Sequence, residues 1–298
     1  MRILRTPETA FEQLEGFDYI PRFLTISDEA TGAPLRIHYV DEGPREAQPV
    51  LMLHGEPTWC YLYRHMIPGI VANGLRAVAP DLVGFGRSDK PAARQDYSYA
   101  RQVAWMRAWL ERLDLTNIVL VCQDWGSLIG LRLLAEMPDR FASVVLSNGG
   151  LPAGQTGPRA FRIWRAFSRF SPFFPIGKIV QAGTRRRLSA AEIAAYDAPF
   201  PSSAHKAAAR VFPSLVPLGD NEAVPDQLKA WAVLDRWEKP FLCCFSHADP
   251  VTRGGERLFI ARVPGTRDQP HSTLRGGHFI QEDDPDGFVA AIMKVTQQ

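Results

Sequence analysis

Cysteine is scarce in this chain, at 4 of 298 residues, namely Cys60, Cys122, Cys243 and Cys244. No two of them form a C-x-x-C pair, which argues against zinc-ribbon and thioredoxin-like chemistry. Cys122, Cys243 and Cys244 lie in apolar, strand-like runs where the thiol acts as a small hydrophobe. A reducing, cytoplasmic compartment is the expectation. Excess charge is lacking too. Lys and Arg number 34 against 32 Asp and Glu, a formal net charge of +2. That balance predicts neither nucleic acid nor an acidic membrane surface as a partner. The one basic run, Arg185, Arg186 and Arg187, reads as a solvated helix end or an ion-pair site. No run approaches the roughly 20 apolar residues of a membrane span. The stretch 1–17 has no apolar segment of signal-peptide length. Internal repeats and low-complexity tracts are absent.

What is present is ample core material, 46% hydrophobic and 22% charged, enough for one large domain with an insertion. Residues 1–150 alternate strands with helices. "RFLTISD", "LRIHYVDEG", "PVLMLHG", "RAVAP", "NIVLVCQ" and "FASVVLSNGG" read as strands. "WCYLYRHMIPGIVANG" reads as a helix closing on Gly74. "YARQVAWMRAWLERLDL" carries Val103, Met106, Leu110 and Leu113 at helical spacing. Residues 151–230 change character: they are rich in Pro, Phe and helix-like pieces, with no strand pattern. The alternation resumes over 231–298. The predicted architecture is α/β: a mostly parallel sheet covered on both faces by helices, with a helical cap (151–230) inserted after the sixth strand of a core (1–150 and 231–298). Ligands of such sheets bind beyond the carboxyl ends of the strands, where the insertion leaves.

The stretch "IVLVCQDWGSLIG" (Ile118–Gly130) predicts a strand, a sharp turn and a helix, with Asp124 at the turn. This is the small-x-nucleophile-x-small pattern of a nucleophile elbow, with Cys122 in place of the first small residue. Asp124 could equally be a helix N-cap. Chain order favours the nucleophile: Asp249 follows the "FLCCFS" strand and His278 follows the last strand in "RGGHF", which is the order nucleophile, acid, histidine. "LHGEPTW" after an early strand supplies an oxyanion-hole loop, with the backbone N–H groups of Glu56 and Trp125 converging. An aspartate, ordinarily with a pKa of about 3.9, is ionised at neutral pH and attacks without a general base. It can displace a leaving group from saturated carbon. His278, oriented by Asp249, would then activate water against the resulting ester. An epoxide oxygen would need a proton, usually from tyrosine, and the insertion holds only Tyr196. A halide needs only N–H donors, and indoles are present at Trp125 and Trp164.

With "HGEPTW", "PDLVGFGRSDKP", "CQDWGS", "AYDAPFP", "HADP" and "GGHF", the sequence resembles the haloalkane dehalogenases of the α/β-hydrolase superfamily over nearly its whole length. The resemblance implies Asp124 as nucleophile, His278 as base and Asp249 as acid. It also implies Trp125 and Trp164 as the halide-binding pair and Glu56 in the oxyanion hole. The family's other position for the acid, after the strand following the elbow helix, holds Asn148 here. Phe161, Phe167 and Phe173 are expected to line the pocket or to pack the cap. No cofactor and no metal is expected. The partners expected are a small apolar halogenated substrate and a halide ion, in a monomer. An epoxide hydrolase, and a non-catalytic ligand-binding homologue, are the alternatives.

Overall fold

Strands that are apolar along their whole length need cover on both faces, and here they obtain it. The computed structural model describes residues 1–296. It has one eight-stranded sheet: β1 (Arg22–Ser27), β2 (Pro34–Glu42), β3 (Pro49–Leu53), β4 (Arg76–Pro80), β5 (Ile118–Asp124), β6 (Phe141–Gly149), β7 (Phe241–Ser246) and β8 (Ser272–Leu274). Their spatial order is β8-β7-β6-β5-β3-β4-β2-β1. The pairings from β4 to β8 are parallel, and β2 runs antiparallel to both β1 and β4. β3, β4 and β7 are buried at every residue, as strands covered on both faces must be. A short antiparallel pair, Ile3–Leu4 with Lys90–Pro91, lies outside the sheet.

The helices are α1 (Ile67–Ala72), α2 (Tyr99–Leu113), α3 (Trp125–Glu136), α4 (Arg159–Phe170), α5 (Ile176–Gly183), α6 (Ala190–Asp197), α7 (Ala207–Leu215), α8 (Val224–Leu234), α9 (Glu256–Arg262), α10 (Ile280–Asp283) and α11 (Pro285–Thr296). α4 to α8 all fall between β6 and β7. Among the described residues this segment adds only an isolated bridge, Gly154 with Leu218, to its helices. α8 runs across residue 230, and its Trp231 indole donates to Leu151 O at 2.7 Å.

One predicted helix is mostly something else. The stretch 59–74 forms a 3-10 turn, Cys60–Tyr63, and only the six-residue α1. Pro68 has no N–H to offer Arg64 O four residues back. The Tyr19 hydroxyl donates to that carbonyl instead, at 3.2 Å.

The direction of winding reverses around β3, whose neighbours are β4 and β5. Leu53 pairs with Cys122 there. The loop leaving β3 and the turn leaving β5 therefore emerge side by side, at the position where open α/β sheets bind ligands.

Candidate active site

Asp124 ends β5 in a conformation that L-residues rarely adopt, φ 49° and ψ −125°. Such strain amounts to about 1–3 kcal/mol and survives only when its surroundings enforce it. They do. A Cβ on Gly126 would stand 1.8 Å from Leu53 O, so the turn must carry glycine there. Ser127 Oγ also donates to Asp124 O at 2.5 Å. The carboxylate does not cap α3, which removes the N-cap alternative. Oδ1 accepts from Glu56 N at 2.7 Å, and Oδ2 lies 3.6 Å from His278 Nε2.

His278 and Asp249 complete the set. His278 Nδ1 is 3.0 Å from Asp249 Oδ2. Asp249 also accepts from Val251 N at 2.8 Å and from the Thr252 hydroxyl. Burial would raise the Asp249 carboxyl. The imidazole charge beside it and these hydrogen bonds outweigh burial and hold it at about 2. Burial would likewise lower the His278 imidazole, but Asp249 and Asp124 together push it up to about 10. Asn148, at the alternative acid position, ties the histidine loop to β7. Its amide donates to Ser246 Oγ, Gly277 O and His278 O, each at 2.9 Å.

Asp124, His278, Glu56, Trp125 and Trp164 line one cavity of about 820 Å³, together with Phe161, Leu128, Ile179, Pro213 and Phe279. The Trp125 indole packs on Tyr99 and Phe212, with ring centroids 5.7 and 4.3 Å away. Trp164 stacks on Phe167 and on Phe174, with ring centroids 5.7 Å away in each case, and its indole faces the Glu56 carboxyl. Burial first, and the Asp124 charge second, push that carboxyl well above the usual range. Its Oε1 is buried without a partner.

The pocket expectation for the cap phenylalanines needs correction. Phe161 lines the cavity, whereas Phe167 and Phe173 do not. Phe167 packs on the outer side of Trp164, and Phe173 stands in solvent beyond α4. Helix rotation sets which side of α4 meets the cavity, and composition alone carries no such information.

Comparisons with known proteins fit this geometry. Residues 48–285 match the family described as alpha/beta hydrolase fold. A haloalkane dehalogenase of Psychrobacter cryohalolentis is 53% identical over 286 residues, 95% of this chain and 94% of that protein. One of Mycolicibacterium paratuberculosis is 50% identical over 285 residues, again 95% and 94% of the two chains. The chain belongs to the haloalkane dehalogenases, hydrolases that act on carbon–halide bonds. Among solved structures, the tetrameric haloalkane dehalogenase of Paraglaciecola agarilytica superposes with a TM-score of 0.90 at 34% identity, covering 100% of this chain and 99% of that one.

Several residues of this haloalkane dehalogenase escaped the sequence reading. Gln123 Nε2 reaches His278 Nε2 at 3.1 Å and donates to His278 O at 3.2 Å. Its place beside Asp124 was the one available signal. Thr252 supports Asp249. A buried ionic clamp joins cap to core beside the histidine loop. Arg64 donates to Glu282 Oε1 at 2.5 Å and to Glu192 Oε1 at 2.6 Å. Arg186, from the basic run, donates to Glu192 Oε1 at 2.6 Å and to Glu282 as well. The Tyr196 hydroxyl also donates to Glu282. Burial would raise Glu192, but Arg186, the Ser189 N–H and Arg64 draw it down to about 2. His278 N donates to Gly183 O at 2.7 Å, so the end of α5 sits directly on the histidine loop.

Two other clusters gather possible metal ligands, His38–Cys60–Asp81 and His65–Glu192–Glu282. Their carboxylates are already engaged. Asp81 takes Cys60 N and Arg87 N at 2.8 Å each, and the two glutamates hold the arginines.

Proposed function

We propose that this chain hydrolyses terminal chloro- and bromoalkanes to alcohol, halide and a proton through an alkyl ester on Asp124. One observation carries the proposal. The Asp124 carboxylate is uncapped, lies between Glu56 N–H and the His278 imidazole, and opens into a cavity with two indoles.

In the first step Asp124 attacks the carbon, the carbon–halogen bond breaks with its electron pair, and an alkyl ester and a free halide result. The Trp125 and Trp164 N–H groups receive the halide. Among the described residues the Trp125 indole N–H has no protein partner, and that of Trp164 faces the Glu56 carboxyl. In the second step a water attacks the Asp124 carboxyl carbon and His278 Nε2 takes its proton. The N–H groups of Glu56 and Trp125 hold the oxyanion. Alcohol leaves, and the carboxylate returns carrying the water oxygen. His278 and Asp124 are electrostatically linked, because Asp124 helps to hold the proton on His278. Esterification removes that negative charge and lowers the proton affinity of His278 at the stage where a base is needed. Asp249 keeps the ring oriented, and the Gln123 amide beside Nε2 suits the neutral ring as acceptor.

The segment 151–230 acts as the cap that excludes water. An epoxide hydrolase would need tyrosines facing Asp124, but Tyr196 is buried against Glu282. Four buried free thiols support a reducing, cytoplasmic setting. We take the assembly to be a monomer. Light scattering checks this, and a tetramer like that of the Paraglaciecola relative would overturn it.

The decisive assay incubates the protein with 1-bromobutane and measures bromide. Release by the native chain and none by Asp124→Ala is the expected outcome. Undiminished release by folded Asp124→Ala would overturn the assignment.

A further inference from the structure

Cap helix α4 gives only one edge to the protein. Phe161 and Trp164 line the cavity and Ser168 is buried. Ile163 is 61% exposed, Phe170 73% and, just past the helix, Phe173 78%. The polar flank carries Arg159, Arg162, Arg165 and Arg169, all exposed. Their three- and four-residue spacing sets them along one side of the helix. None of the four forms an ion pair among the described residues. No Asp or Glu occurs between Asp139 and Glu192, so this side has no counter-charge nearby in the chain. Arg162, Arg165 and Arg169 border a hollow of about 370 Å³, closed by Phe170 and by Ser214 of α7.

We propose that α4 is a docking helix for an anionic phospholipid surface. Ile163, Phe170 and Phe173 enter the head-group layer, and the arginines hold lipid phosphates, one of them in the hollow. A helix with apolar and aromatic residues on one side and basic residues on the other is built for that interface. The small net charge predicted no such partner, but a whole-chain sum averages away a cationic patch that folding places on one helix. Charge complementarity selects the occupant. A second copy pairing through α4 would set arginine against arginine, with no carboxylate to relieve it. A nucleic acid would engage the arginines and leave Ile163, Phe170 and Phe173 uncovered. Because the inner side of α4 lines the cavity, docking would hold the site against the phase in which apolar compounds concentrate.

Sedimentation of the full-length protein with vesicles tests this without any substrate, so its outcome is separate from that of the bromide assay. Vesicles of phosphatidylcholine mixed with phosphatidylglycerol should carry the protein down at low salt. Vesicles of phosphatidylcholine alone should not, and added salt should release the protein. Arg162→Gln and Arg169→Gln should each lower the partition about fivefold. The triple change Ile163→Ser, Phe170→Ser and Phe173→Ser should abolish it. None of these side chains lines the cavity, so bromide release in solution should be unchanged. Equal binding to both vesicle types, or to neither, would overturn the proposal. So would a dimer in vesicle-free solution that the triple change dissociates, or a DNA duplex that binds the protein equally well with and without the triple change.

Discussion

Replacing His278 by glutamine separates the two chemical steps. The first needs no proton transfer, and Asp124 keeps its 2.7 Å contact with Glu56 N in the variant. The second loses its base. General-base catalysis contributes about 10²–10⁴-fold, which is about 2.7–5.4 kcal/mol of barrier at 1.36 kcal/mol per decade. Bromide from 1-bromobutane should therefore appear as a burst of one equivalent per active site, followed by turnover slower by that factor. Mass spectrometry should find one added butyl group on the peptide containing Asp124. The substitution also leaves Asp249 buried with only Thr252 and Val251 as donors, so circular dichroism must confirm folding before the kinetics are read. A folded variant with no burst and no adduct, beside an active native protein, would refute the covalent scheme. Steady turnover near the native rate would place the base elsewhere.

Trp164→Phe removes one N–H from the halide, and a hydrogen bond to a charged group is worth about 1.5–3 kcal/mol. Chloride, titrated by fluorescence, should bind about 10- to 150-fold more weakly, and unchanged affinity would show that this indole does not hold the halide. With rising pH, ester hydrolysis should accelerate through the His278 pKa of the alkyl-enzyme. That value lies below the about 10 of the free site, because the ester no longer carries the Asp124 charge. The bromide burst should not follow that profile, and burst and turnover falling together on acidification would contradict the linkage. The sign for stability is the reverse. A raised His278 contributes stability that is complete below its ordinary 6.5 and is lost as pH rises through about 10. Glu282→Gln leaves Arg64 buried with Glu192 alone. Breaking a buried pair costs about 3–5 kcal/mol, and a urea midpoint unmoved by this change would show that the clamp contributes nothing.

Much of the site was legible because it is local. An apolar β-branched run, a sharp turn with Gly126 and an apolar helix can be recognised within thirteen residues, and the order of Asp124, Asp249 and His278 is a property of the chain. The loop after an early strand pointed to Glu56 and the scarcity of tyrosine in the insertion to Trp164, and the resemblance implied a role for each. The helix expected over 59–74 failed because periodicity outweighed Pro68. The cap resisted for a different reason. Whether Phe161 or Phe167 meets the cavity depends on the rotation of α4, and the place of Phe173 depends on the path of the chain just past that helix.

The amino-acid order by itself determined the alternating architecture, the insertion and the aspartate at the strand-to-helix turn, since each follows from contacts among near neighbours. Only the tertiary structure decided that Arg64 meets Glu282 across 218 residues of sequence, that Gln123 faces His278 and Thr252 holds Asp249, and that four arginines gather beside exposed aromatics. Those pairings arise when distant segments are brought together by burial of the sheet, and no periodicity along the chain encodes them.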